Sequence, residues 1–257
     1  MNKNDKLTIV AAVNNKDVLQ KNLLFSPEIL DESTSYQVII KENYSSASIA
    51  YNSAIDESKN DIVIFAHQDI YLPEGWFSSL WESILYLNKT QPNWGVLGCY
   101  GCKEGSTNGV GKVYTNGIGQ HGDEIDKPES VDTLDEIILI IRKSSGLRFD
   151  SSLPHFHLYG TDICLSAIDK GMKNYAIPAF CIHNTNQLLD LPKEFYECFK
   201  FIKNKWFSYL PIYTPCITIS RFDKDLYLRN LRISAGKLVG KKRTQARRVD
   251  DPRTLLG

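Results

Sequence analysis

The chain has 257 residues, with 30 Lys and Arg against 30 Asp and Glu, 42% hydrophobic residues and 23% charged ones. That is an ordinary globular composition, with room for one large domain or for one domain and a tail; it excludes a collagen-like or wholly disordered chain. No apolar run exceeds strand length, far short of the roughly 20 residues that span a bilayer.

Basic residues precede the first apolar stretch, Leu7 to Val13, but no small-residue cleavage site follows it. A buried first strand in a cytoplasmic protein is therefore expected rather than a secretory signal. The six cysteines read as reduced thiols. Cys99 and Cys102 form a CxxC with no second pair, which reads as a turn after a strand rather than a zinc site.

Leu7–Val13 (LTIVAAV) is apolar almost throughout, as a strand buried on both faces must be. A short helix over 16–24 and a strand over 36–41 follow. Ala47, Ala50, Tyr51, Ala54 and Ile55 then recur at spacings of three and four, one buried helix face behind an N-cap at Ser45 or Ser46. Residues 61–66 (DIVIFA) give a third strand, so five elements alternate within sixty residues, the pattern of a parallel, doubly wound α/β sheet. A helix over 74–88 and a strand over 94–100 lead into a glycine-rich loop with a small hairpin, GKVYTNG. Strand 134–142, helix 161–170 closed by Gly171, and strand 175–182 complete the pattern, Pro178 marking an edge or a bulge. Domain boundaries are expected at 1–190 for the α/β domain and 191–257 for a helical, basic extension. Phe195, Phe199, Ile202 and Trp206 form an aromatic stripe that docks on the domain or meets a membrane surface or partner.

Polar residues cluster where such sheets present ligands, at the carboxyl ends of strands. Asn14 and Asn15 end the first strand, Glu42 the second, and His67-Gln68-Asp69 the third. Neither GxGxxG after the first strand nor GxxxxGK[ST] occurs, so a diphosphate ligand needs its charge neutralised by other means. Asp69, in the HQD that ends the third strand, and His183, directly after the last strand, suit Mn²⁺ or Mg²⁺ with open positions for phosphate oxygens. Asp162 lies in the first turn of a helix and is the candidate general base. His155 and His157, two apart in a loop, read as acceptor-side or structural groups rather than metal ligands, with Tyr159 beside them on the acceptor side.

The order LTIVAAVNN, AYNSAIDESKNDIVIFAHQD, FHLYGTDICLSAIDKG and CIHN resembles the GT-A glycosyltransferases of the family 2 type, in the branch with HQD where most members carry DxD. The resemblance covers about residues 6 to 190. It implies a GT-A, Rossmann-like, mostly parallel sheet flanked by helices. By the same resemblance Val13 and Asn14 lie along the nucleoside, Glu42 holds the base, and Asn52 orders the nucleotide pocket. His67, with Gln68, sits near ribose and phosphates, Asp69 binds the metal, Asp162 is the base of an inverting transfer, and His183 completes the metal site. The sequence departs from the family in three ways: His67 replaces an acid, no Glu precedes Asp162, and the acceptor-side Asp-Gly reads Asp135-Glu136.

The function these residues imply is an inverting, metal-dependent transfer of a sugar from a UDP, GDP or dTDP donor to a hydroxyl of a glycan, lipid-linked or protein-linked acceptor, in polysaccharide biosynthesis. A catalytically silent module that binds a nucleotide sugar or glycan is the alternative, and no nucleic acid partner is expected. Eleven basic and four acidic residues between Arg221 and Gly257 make that end +7, leaving −7 for residues 1 to 220. Lys237, Lys241, Lys242, Arg243, Arg247 and Arg248 thus form a basic tail for peripheral contact with the inner face of an anionic membrane, or a solvated terminus.

Overall fold

The computed structural model describes residues 6–31, 34, 36–105, 109–187, 190–238 and 245–256. The first half holds β1 (Leu7–Val13), α1 (Lys16–Lys21), α2 (Pro27–Leu30), β2 (Gln37–Glu42), α3 (Ala47–Glu57), β3 (Ile62–Ala66), β4 (Ile70–Tyr71), α4 (Trp76–Thr90), β5 (Trp94–Gly98) and β6 (Gly101–Cys102). Then come the hairpin β7 (Val113–Thr115) and β8 (Gly119–His121), β9 (Glu129–Val131), β10 (Thr133–Leu134) and β11 (Ile138–Arg142). The rest comprises α5 (Tyr159–Asp169), β12 (Lys173–Ala176), β13 (Cys181–His183), α6 (Lys193–Lys205), β14 (Ile212–Tyr213), β15 (Thr218–Ile219) and α7 (Lys224–Leu238).

The α/β architecture expected from the sequence is present, built on a seven-stranded sheet of order β2-β1-β3-β11-β5-β12-β9. β2, β1 and β3 run parallel, as do β5 and β12. The sheet is mixed, however, because β11 runs antiparallel to both β3 and β5, and β9 antiparallel to β12. An apolar run such as ILII carries no information about direction, so strand 134–142 was legible as a strand but not as a reversed one.

Both faces of the sheet are covered. Ile9, Ala11 and Val13 of β1 pack with Trp76, Phe77, Leu80 and Ile84 of α4 on one face. Val10 packs with Ala50, Tyr51 and Ala54 of α3 and with Ile163 of α5 on the other. This alternation along a strand with no solvent face explains why β1 reads as continuously apolar.

Two corrections bear on the site. Residues 175–182, expected as one strand, are two: β12 ends at Ala176 in the large sheet, and β13 joins a second sheet of order β4-β13-β7-β8. Pro178, which lacks an N–H for a ladder, falls in the link between them. The aromatic stripe of α6 is buried in the core with α3 and α5, so it is not a membrane-facing surface. Cys99 and Cys102 are both buried and join no metal-ligating cluster among the described residues.

Candidate metal and donor site

Three side chains converge at the carboxyl end of β3: His67, Asp69 and His183, with one ligand atom from each lying within 4.8 Å of the others. Strand register brings them together. β13 pairs antiparallel with β4 so that His183 faces Ile70, and the Asn184 amide donates to the Asp69 carbonyl at 2.9 Å. Asp69 therefore lies beside His183 across the ladder, although 114 positions separate them in the chain. His67 stands two residues before Asp69, in the turn closed by the Ile70 amide on the His67 carbonyl at 3.2 Å.

The hydrogen bonds around His67 assign its tautomer. The Tyr159 hydroxyl donates its one hydrogen to the Glu136 carbonyl at 3.0 Å, so toward His67 Nε2, 2.8 Å away, it must accept. Nε2 then carries the proton and Nδ1 keeps the lone pair, the arrangement in which an outer hydrogen bond orients a metal-ligating histidine. Burial pushes the His67 pKa down to about 4, so the ring is neutral and competent as a ligand at physiological pH. Burial alone raises the Asp69 carboxyl, but the flanking imidazoles of His183 and His67 and the Arg248 guanidinium outweigh it and hold the acid well below the ordinary carboxylate range. Two imidazoles and one carboxylate fit a divalent cation that takes mixed nitrogen and oxygen ligands, such as Mn²⁺, better than the all-oxygen set that Mg²⁺ prefers.

Asn14, Gln68 and Glu42 lie along the adjoining strand ends. Gln68 donates to Asn14 Oδ1 at 2.6 Å and accepts from the Asn14 and Asn15 amides, tying the turn after β3 to the end of β1. Val13 is buried and pairs in register with Glu42, whose carboxylate meets Lys16 at 3.2 Å. These four residues share one edge of the candidate site.

Three residues are placed otherwise than expected. Asn52 does not face a nucleotide pocket: its amide donates to the Phe149 carbonyl at 2.8 Å and accepts from the Phe149 amide at 3.0 Å, fixing the 148–151 loop to α3. Asp162 is only 1% exposed, with Lys205 Nζ at 2.8 Å and Trp206 Nε1 at 2.7 Å on its carboxylate. It anchors the end of α6 to α5. Tyr159, expected on the acceptor side, is buried beneath His67. Of the loop histidines, His157 packs edge-on against Phe195, and His155 Nε2 meets Glu197 at 2.7 Å.

Two acids lie between β10 and β11: Asp135, whose charge acts on His67, and Glu136. The Glu136 carbonyl receives Tyr159, and the next carbonyl, of Ile137, receives the His67 amide at 3.0 Å. Burial and the neighbouring Asp135 push the Glu136 carboxyl pKa up to about 8, against the opposing pull of the Gly160, Leu158 and Tyr159 amides at the start of α5. Gly160 permits that approach, because a Cβ there would meet Glu136 Cβ at 3.1 Å.

The basic tail also differs from expectation where it is described. Residues 245–256 pack on the domain, and Arg248 turns inward, its Nη2 donating to Asp69 Oδ2 at 3.0 Å. Arg248 is therefore not a membrane-facing residue. The Lys237 side chain and Lys241, Lys242 and Arg243 lie outside the described residues. No helix among the described residues is long and apolar enough to cross a membrane. Sequence reasoning missed His67 as a ligand, although HxD before a strand and a histidine after another was a usable signal. It missed Arg248 because only tertiary structure brings it to Asp69.

The glycosyltransferase-like family matches residues 8–203. A curated protein of Fuscovulum blasticum described as "ATP synthase subunits region ORF 6" is 26% identical over 144 residues, 54% of this chain; the match spans 58% of that relative. Among solved structures, GalNAc-T7 with UDP, GalNAc and Mn²⁺ has a TM-score of 0.49 at 9% identity, over 69% of this chain and 43% of that one. The mannosyltransferase PcManGT of Pyrobaculum calidifontis with GDP-Man and Mn²⁺ has a TM-score of 0.43 at 10% identity, over 68% and 56%. TarS of S. aureus has a TM-score of 0.41 at 11% identity, over 78% and 65%. With well over half of its residues matched, the chain belongs to the glycosyltransferase-like family.

Proposed function

We propose that the protein transfers a sugar from a nucleotide-diphosphate donor to an acceptor hydroxyl, and that the donor diphosphate is held at a divalent cation on His67, Asp69 and His183. The observation that carries this reading is the convergence of those three ligands at the carboxyl end of β3, in a chain of this family. The cation would supply charge neutralisation to the leaving diphosphate. Asn14, Gln68 and Glu42 line the edge where the nucleoside would lie, beside the end of β1. The acceptor is the hydroxyl of a growing glycan, free or linked to lipid or protein.

The base of a single, inverting displacement is Glu136 rather than Asp162. Asp162 is enclosed and already holds two donors. Glu136 lies on the segment whose backbone carbonyls meet Tyr159 and His67, and a carboxyl with a pKa of about 8 takes the proton of an attacking hydroxyl through its deprotonated fraction, which grows as pH rises toward 8. Glu136→Gln is expected to lower transfer by about 10²- to 10⁴-fold while leaving donor binding near the wild-type value. Wild-type turnover in that variant removes Glu136 from the role.

The enclosure of Asp162 also favours a second reading, a module that binds a nucleotide sugar without transferring it. Thermal shift with UDP, GDP and dTDP, each with and without Mn²⁺, tests the site common to both, and no stabilisation by any pair counts against both. Turnover of a nucleotide-sugar panel then separates them: release of the nucleoside diphosphate supports the transferase, and binding without release supports the silent module.

A further inference from the structure

The donor set has one carboxylate and two imidazoles, and neither GxGxxG after the first strand nor GxxxxGK[ST] is present to cradle a phosphate. A divalent cation at that triad keeps one positive charge after Asp69, about one short of the two negative charges of a nucleotide-sugar diphosphate. Arg248 brings the missing charge to the same place. Its Nη2 lies 3.0 Å from Asp69 Oδ2, and its Nε donates to the Asn184 carbonyl at 2.7 Å. A guanidinium presents five N–H donors in a planar fork. Among the described residues these two contacts use one edge, and the side chain keeps 21% exposure.

The position of Arg248 is built by buried polar groups and is not an accident of a loose end. Asn184 is 0% exposed and pairs reciprocally with Val249, accepting from its amide at 2.9 Å and donating to its carbonyl at 2.8 Å. The same side chain donates to Asn22 Oδ1 at 2.8 Å, at the end of α1. Asn116, after β7, donates to the Arg247 carbonyl at 2.7 Å, and the Arg248 amide donates to Asn186 Oδ1 at 2.9 Å. Side-chain amides from two different loops are thus spent on the backbone of 247–249, where leaving them unpaired would be costly.

Resting on the glycosyltransferase reading, we infer that Arg248 is the phosphate-binding arm of the donor site, so that the nucleoside diphosphate is held by the cation and this guanidinium together. In the free protein Arg248 pairs with Asp69 and competes with the cation for that carboxylate. In the donor complex its fork meets the diphosphate oxygens, a geometry that guanidinium fits and ammonium fits less well.

The pairing predicts effects of opposite sign, which a merely structural role would not produce. Binding of Mn²⁺ alone, and of UDP, GDP and dTDP in saturating Mn²⁺, is measured by calorimetry on the full chain for wild type, Arg248→Gln and Arg248→Lys. Arg248→Gln is expected to bind Mn²⁺ as tightly as wild type or more tightly, because Asp69 loses its competitor, and to bind the preferred diphosphate about 10- to 100-fold more weakly. Arg248→Lys is expected to recover part of that loss, and it carries the test if Arg248→Gln does not fold. Unchanged diphosphate affinity in a folded variant overturns the inference, and so does a parallel loss of Mn²⁺ and diphosphate binding. A wild-type protein that binds none of the three diphosphates with Mn²⁺ overturns the glycosyltransferase reading itself, which separates the two failures.

Discussion

Tyr159 has one hydroxyl hydrogen, and the direction in which it is spent decides which nitrogen of His67 faces the cation. Because that hydrogen goes to the Glu136 carbonyl, Tyr159→Phe removes the acceptor that holds the His67 proton on Nε2. Mn²⁺ affinity should fall about 10- to 100-fold, the usual cost of losing such an outer partner. Calorimetry reads it, and an unchanged affinity would mean that something else orients the ring. Glu136 makes a prediction in pH. Its folded pKa, about 8, lies above the ordinary value of 4.5, so the stability it contributes is complete below that ordinary value and is lost as pH rises through about 8. Glu136→Gln should therefore raise the melting temperature at pH 9 and leave it nearly unchanged at pH 4; a variant less stable than wild type at pH 9 would refute the burial argument. These residues also mark the limit of what the sequence discloses. Asp69 and His183 were legible because each lies at or shortly past the end of an apolar strand. Asp162 was less legible, because an acid in the first turn of a helix looks the same whether it faces a cleft or the core. The packing of Lys205 and Trp206, more than forty positions away, decides the matter.

At the scale of elements, legibility followed periodicity. β1 was read with its observed ends, and β3 and α3 to within one or two residues, because uninterrupted apolar runs and a three-and-four spacing are local signals. The division of residues 175–182 into β12 and β13 was not readable in full, since Pro178 signals an interruption but not the move of the chain to another sheet. That move matters most, because it sets His183 beside Asp69. Two substitutions test the element contacts. Asn52→Ala strips the 148–151 loop of two backbone partners and should cost about 1–3 kcal/mol in urea unfolding, with nucleotide affinity unchanged. A selective loss of nucleotide binding would return Asn52 to the pocket. Gly160→Ala pushes a methyl group against the Glu136 backbone and the Leu134 carbonyl, at 3.2 and 3.1 Å. Overpacking of that kind costs about 1–3 kcal/mol, and here it should also lower transfer by displacing Glu136 from the start of α5.

For the whole molecule, the zero net charge is the sum of an acidic −7 over residues 1 to 220 and a basic +7 beyond them. The two parts meet within the fold. Arg248 reaches Asp69, Asp250 meets Lys21 at 2.8 Å, and Arg253 lies over the Phe25 ring at 4.6 Å. The two exposed or rim contacts contribute little individually, so the attachment of residues 245–256 depends on the buried amide of Asn184 more than on charge. Asn184→Ala leaves the Val249 amide and carbonyl and the Asn22 carboxamide without their partner, a loss of about 1–3 kcal/mol. If the segment is held chiefly there, hydrogen exchange in that variant should accelerate at Arg248 and Val249 while β1, β3 and β11 keep their protection. Diphosphate affinity should fall in parallel with the protection of Val249. Uniform acceleration across the central sheet would instead make the segment part of the global folding unit, with Arg248 carried along by the fold rather than held by its own anchor.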